Sequence, residues 1–122
     1  MKYLCLVYAD EARLNVMPQH KVDALIDETT ATNEELRASG HLLLAEALEQ
    51  VEAAVIVRVR DGRLSATAGP FAETVEQLGG FLLIEARDLN EAIQIAGRIP
   101  GARLGSIEVR PVIDLARERS SR

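Results

Sequence analysis

From Lys2 to Tyr8 the chain has no polar side: Tyr3, Cys5 and Val7 fall on one face of an extended segment, Leu4, Leu6 and Tyr8 on the other. Asp10 to Pro18 interrupts this as a loop. From about Gln19 the spacing becomes helical, with Val22, Leu25, Ile26, Thr29, Asn33 and Leu36 along one side and charges opposite. Gly40 supplies the stop. Leu42 to Leu48 is again extended and apolar on both parities, apart from Glu46. Val55, Val57 and Val59 then alternate with Ile56, Arg58 and Arg60, and Asp61-Gly62 joins this strand to Arg63–Thr67. Asp-Gly between two such runs marks a tight hairpin, since both turn positions need positive φ.

Ala68 to Leu78 reads as a loop with one helical turn, and Gly79-Gly80 opens a strand over Phe81–Ala86. Asp88 with Glu91 three residues on is a capping-box start. The helix it begins turns Leu89, Ala92, Ile93, Ala96 and Ile99 inward and ends at Pro100-Gly101. Ser106–Val112 is the last strand. The order is β-α-β, a hairpin, then β-α-β, which predicts an α+β domain: a ferredoxin-like split βαβ with an inserted β-hairpin, both helices on one face of an antiparallel sheet. The domain spans 1–113, and 114–122 form a charged C-terminal tail that frays.

Two helices cover one sheet face, and a solvated second face calls for polar residues that these strands lack. A second copy of the chain stacked face to face is the economical cover; the hairpin folding over its own sheet is the alternative.

Composition adds exclusions. The 122 residues suit one domain, and with aromatics at 3% the core must be aliphatic. A net charge of −5 with scattered basic residues argues against nucleic acid. The apolar runs are too short to span a bilayer, and Met1 leads straight into a strand without a signal-peptide pattern. The single cysteine, Cys5, excludes an internal disulfide and fits a cytoplasmic setting.

The run Ala68-Gly69-Pro70-Phe71-Ala72-Glu73-Thr74, followed by Glu76-Gln77-Leu78-Gly79-Gly80-Phe81, resembles the signature of the DGPF-motif branch of the YCII-related proteins. The opening Met1–Tyr8 with Asp10 and Glu11, the hairpin Val57–Gly62 and the strand Ser106–Val112 are similar to the same family. The resemblance implies a dimeric α+β barrel. It implies little chemistry, since relatives on the fold include lyases and isomerases of small aromatic or lactone compounds, with a His–Asp pair as the usual catalytic suggestion. Here Ala68 stands for that Asp and Thr29 for that His, so the acid/base pair is missing.

His20 and His41 sit at helix boundaries, and two distant histidines with one cysteine make no metal site. Cys5, mid-strand with no nearby base, reads as a buried inert thiol. Gly79-Gly80 precedes a strand, so it is a bulge or close-packing position rather than a phosphate loop. Glu46 and Arg110 interrupt apolar strands. Facing a cavity, they should meet each other, a partner chain or a ligand. A structural ion pair across the subunit interface is the plainer outcome. The sharper one is an anion clamp by Arg110, with Tyr8, Thr29, Glu46, Phe71 and Glu73 around a small organic ligand. The expected function is therefore binding of a small organic or anionic molecule between two subunits, without cofactor or catalytic residue. The alternatives are a lyase or isomerase using Glu46, Glu73 and Arg110, and a pure interaction module.

Overall fold

The computed structural model describes residues 1–121. Strand β1 (Lys2–Ala9) is followed by helices α1 (Glu11–Asn15) and α2 (Gln19–Ala38), then β2 (Leu42–Ala47) and a single 3-10 turn over Val51–Ala53. The hairpin β3 (Val55–Arg60) and β4 (Arg63–Ala68) precedes β5 (Gln77–Glu85), α3 (Leu89–Arg98), α4 (Gly101–Leu104), β6 (Ser106–Pro111) and α5 (Leu115–Ser121). Four strands form one antiparallel sheet in the order β2-β5-β1-β6, and β3 and β4 pair only with each other. This is the split βαβ topology with its inserted hairpin, as the hydrophobic pattern predicts.

One sheet face builds the core. Tyr3 and Cys5 of β1, Leu82 and Ile84 of β5 and Leu42 of β2 are buried against Leu36 of α2 and Ala92, Ile95, Ala96 and Ile99 of α3, with Ile107 and Val109 of β6 at its margin. The inward stripe of α3 is centred one position away from the predicted one. Ala92, Ile95, Ala96 and Ile99 recur at the i, i+3, i+4, i+7 spacing, which rotates Leu89 and Ile93 out to solvent. Likewise Ile26 leaves the α2 stripe, whose only fully buried residue is Leu36. Burial pushes the Cys5 thiol up to about 11, so at neutral pH it stays protonated and unreactive.

Three short helices fall where none was read. Asp10 caps α1 by accepting from Ala12 N at 3.0 Å, so the expected 10–18 loop is partly helical. Pro100 caps α4, so the chain turns once more before β6. Asp114 accepts from the amides of Ala116 and Arg117, which makes the tail a short helix instead of a frayed end. Arg122, its last residue, lies outside the described residues.

Asp61 (φ 52°) and Gly62 (φ 74°) both occupy the left-handed region, as a tight two-residue hairpin requires. A β-branched side chain at Gly62 is strained there whatever the space around it. Gly62→Val is expected to cost about 1 kcal/mol or more, read as a lower urea midpoint; an unchanged midpoint would mean that the turn is not constrained.

The hairpin stands off the body. Of its two six-residue strands only Ile56 is half-buried, so it does not fold over its own sheet. The second face of the main sheet accordingly stays open. It carries Leu4, Leu6 and Tyr8 of β1, Leu44 and Glu46 of β2, Phe81 and Leu83 of β5, and Glu108 and Arg110 of β6.

Candidate ligand-binding site

The open face ends in a groove where β1 and β5 meet the root of the hairpin. The register of β1 against β5 skips Gly79, so Val7 faces Gly80 while Tyr8 faces Leu78. Gly80 lies under β2: a Cβ there would come to 2.9 Å from the Glu46 carbonyl oxygen. The Gly79-Gly80 pair is thus a bulge and a close backbone approach, the reading its place before a strand suggests. The shift delivers the Tyr8 ring to the groove, whose volume is about 630 Å³. Leu48, Val51, Ala53 and Leu78 supply apolar surface, Phe71 and Pro70 form a wall, and Gln50, Thr74 and Gln77 line the rim.

The rim is held by local hydrogen bonds. Glu11 N donates to Gln77 Oε1 at 2.9 Å and Val51 N to Glu11 Oε2 at 3.1 Å, so α1 ties the 3-10 turn to β5. Asn15 and Gln50 hydrogen-bond through their amides. Ser106 Oγ donates to Glu76 Oε1 at 2.8 Å, linking β6 to the loop that carries Phe71.

Tyr8 joins the groove to the charged part of the face. Its ring lines the cavity, while its hydroxyl donates to Glu108 Oε1 at 3.1 Å. Desolvation, and then the Glu108 carboxylate, hold the phenol above its ordinary value, and the nearby Arg110 charge opposes them. Arg110 stands on the same face of β6 as Glu108, opposite Leu4. Glu108 lies on the side of β6 expected to face a cavity, but its pairing with Tyr8 was not foreseen. Only the antiparallel register, Leu6 against Glu108 and Tyr8 against Ser106, brings it within reach.

The other site residues separate. Phe71 is 80% exposed, so it is no core anchor. Glu73 follows it on the same loop, exposed and outside the groove lining. Glu46 lies opposite Phe81 on β2 and Arg110 opposite Leu4 on β6. These are the two edge strands, about 14 Å apart at three strand spacings, so a Glu46–Arg110 pair would have to run between two subunits, as expected for a pair across the interface. Thr29 lies half-buried on α2, in the helix layer behind the sheet.

No histidine reaches the open face. Ser39 Oγ lies 2.7 Å from His41 Nδ1, and His41 Nε2 lies 3.6 Å from Glu91 Oε1, spacings that suggest a serine–histidine–glutamate relay. The serine hydroxyl, however, donates to Leu36 O at 3.0 Å, and Glu91 is held by Arg87 through its backbone N–H and guanidinium. The cluster therefore closes the end of α2 and the start of α3, with no free nucleophile. Among the described residues no group of histidine, cysteine and carboxylate side chains could hold a metal ion, and no helix is long and apolar enough to cross a membrane.

The model of the YCII-related domain matches residues 1–116. The chain belongs to this family. It is 33% identical over 114 residues, 92% of each chain, to an uncharacterised protein of Rhizobium meliloti (strain 1021). Among solved structures it is similar to 5-chloro-2-hydroxyhydroquinone dehydrochlorinase (TftG) of Burkholderia phenoliruptrix AC1100, in complex with 2,5-dihydroxybenzoquinone. The TM-score is 0.56 at 16% identity, covering 93% of this chain and 94% of that one. That likeness shows the fold, the YCII-like α+β barrel architecture, alone.

Proposed function

We propose that this YCII-related chain belongs to the DGPF-motif branch and binds a small, oxygenated organic anion on its open sheet face, in a cavity closed by a second copy. The observation that carries the reading is Tyr8: it lines an apolar groove, and its hydroxyl reaches Glu108 on the strand face that also carries Arg110. Such a site suits a flat ligand with a carboxylate or enolate at one end, the apolar part against Phe71 and Leu78 and the charge toward Arg110. The bound 2,5-dihydroxybenzoquinone of TftG is a molecule of this kind. A buried Cys5 without disulfide suits the cytoplasm.

Titration calorimetry with 2,5-dihydroxybenzoquinone and with simple aromatic carboxylates tests this. Arg110→Ala is expected to weaken binding at least tenfold, about the 1.4 kcal/mol that an exposed charge-assisted contact supplies, and Tyr8→Phe less. Wild-type affinity in Arg110→Ala would remove the clamp.

A lyase acting on a hydroxylated ring is the second reading. It is favoured by the phenol–carboxylate pair Tyr8–Glu108, which could pass a proton without a histidine. It requires turnover that disappears in both Tyr8→Phe and Glu108→Gln.

A further inference from the structure

The loop that carries Phe71 is fastened at both ends and free between them. At the near end Gly69 N donates to Ala54 O at 2.8 Å, one rung beyond the hairpin ladder. At the far end Gln77 Nε2 donates to the carbonyls of Thr74 and Val75, while its Oε1 accepts from Glu11 N. Ser106 Oγ holds the Glu76 carboxylate there as well. Residues 70–73, between these anchors, form no hydrogen bond among the described residues. Gly69, at φ 110°, gives the span a pivot that residues with a side chain rarely adopt.

Phe71 therefore stands 80% exposed at the edge of a groove whose walls include Leu48, Val51 and Leu78. Leaving both apolar surfaces in water is unfavourable, yet the groove, at about 630 Å³, has room for far more than one phenyl ring. Its rim amides are already engaged, Gln50 with Asn15 and Gln77 with Glu11 and the loop carbonyls. The groove thus suits a flat apolar body on which Phe71 can come to rest.

We propose that residues 70–73 are a lid, and that Phe71 closes over the ring of an aromatic carboxylate, selecting it over a saturated ring of the same charge. The inference rests on the anion site proposed above and assigns its ring specificity to one side chain. An aromatic ring offers Phe71 an offset-stacked contact, which a puckered saturated ring does not. Closure also removes water from the groove, as active-site lids do. The lid and the charged end serve one ligand: Ser106, which anchors the loop, lies opposite Tyr8, and the Tyr8 hydroxyl meets Glu108.

The chain has no tryptophan, so Phe71→Trp places a single reporter on the lid. Because Phe71 is exposed, far-UV circular dichroism of its variants should stay as in the wild type. Benzoate and cyclohexanecarboxylate are the probes, with calorimetry measuring their binding to the full chain. Saturating benzoate is expected to shift the indole emission of Phe71→Trp to the blue and to lower its quenching by acrylamide at least twofold. In Phe71→Ala, benzoate affinity should fall about threefold or more while cyclohexanecarboxylate changes less than about twofold, the difference that one stacked contact supplies. If calorimetry shows benzoate bound while the indole stays open to acrylamide, the site stands and the lid is overturned. Equal losses for the two acids in Phe71→Ala overturn the ring selection. A wild type that binds neither acid overturns the lid, and with 2,5-dihydroxybenzoquinone also unbound, the site itself.

Discussion

Ile84→Ala is expected to lower the stability of the chain by about 2–5 kcal/mol, measured as a shift of the urea midpoint at unchanged slope. Ile84 has no exposed surface. It sits on β5, a central strand, with Tyr3 opposite on β1 and Leu42 opposite on β2, both buried. The substitution removes three carbons from the middle of this layer, and hydrogen-bonded strands on both sides prevent the sheet from collapsing into the space. With only two phenylalanines and no tryptophan in the sequence, no larger side chain can swing in. A loss below 1 kcal/mol would mean that the helix layer settles onto β5 freely. Leu83, the next residue, is the internal comparison. It lies half-exposed on the open face, so in the isolated chain its truncation costs less than that of Ile84. Closure by a second copy predicts that Leu83→Ala becomes the more costly as concentration, and with it dimer, increases.

The two-sided strands explain why so much of the fold was legible. Strand identity, the Asp61-Gly62 turn and the Asp88 cap depend on neighbours a few residues away, and each appears where the pattern puts it; Asp88 accepts from Glu91 N at 2.9 Å. What failed depended on rotation or register. Ile93 and Leu89 are apolar residues on a helix whose stripe is only wide enough for Ala92, Ile95, Ala96 and Ile99. The sequence does not state which of two adjacent apolar positions a sheet will choose. Glu46 and Arg110 each interrupt an apolar strand, but which strands they occupy in the sheet is a long-range property: strand order sets them on opposite edges, so any pair between them joins two subunits. The pairing that does occur, Tyr8 with Glu108, depends on how β1 aligns with β6 about a hundred residues later, and on the bulge that displaces Tyr8 by one position relative to β5. Thr29 carried a family correspondence and a place on a stripe, both local properties. Neither specifies that α2 lies behind the sheet, away from the groove.

The glycines give the other large effect, and it connects stability to the site. Gly105 ends α4, donating its N–H to Gly101 O at 2.8 Å, and leads into β6. A Cβ at this position would fall inside the carbonyl group of Tyr8. The obstacle is backbone on both sides, so no rotamer change can relieve it, and either β6 or the end of β1 must move. Overpacking a core costs about 1–3 kcal/mol where side chains can adjust. Gly105→Ala is expected to exceed that range, with loss of at least about 3 kcal/mol of unfolding free energy. Because Ser106 pairs with Tyr8 in the adjoining register, the displacement also pulls Tyr8 from Glu108. Any variant protein that folds should therefore have lost ligand affinity as well. Gly97→Ala is the control. Gly97 lies inside α3 with nothing within 4 Å of a built Cβ, so the same added methyl group meets only solvent and reduces the entropy lost on forming the helix. It should stabilise by about 0.5–1 kcal/mol. Opposite signs from one chemical change at two glycines eight residues apart in the chain would locate the cost at the Tyr8 carbonyl; equal signs would place it elsewhere.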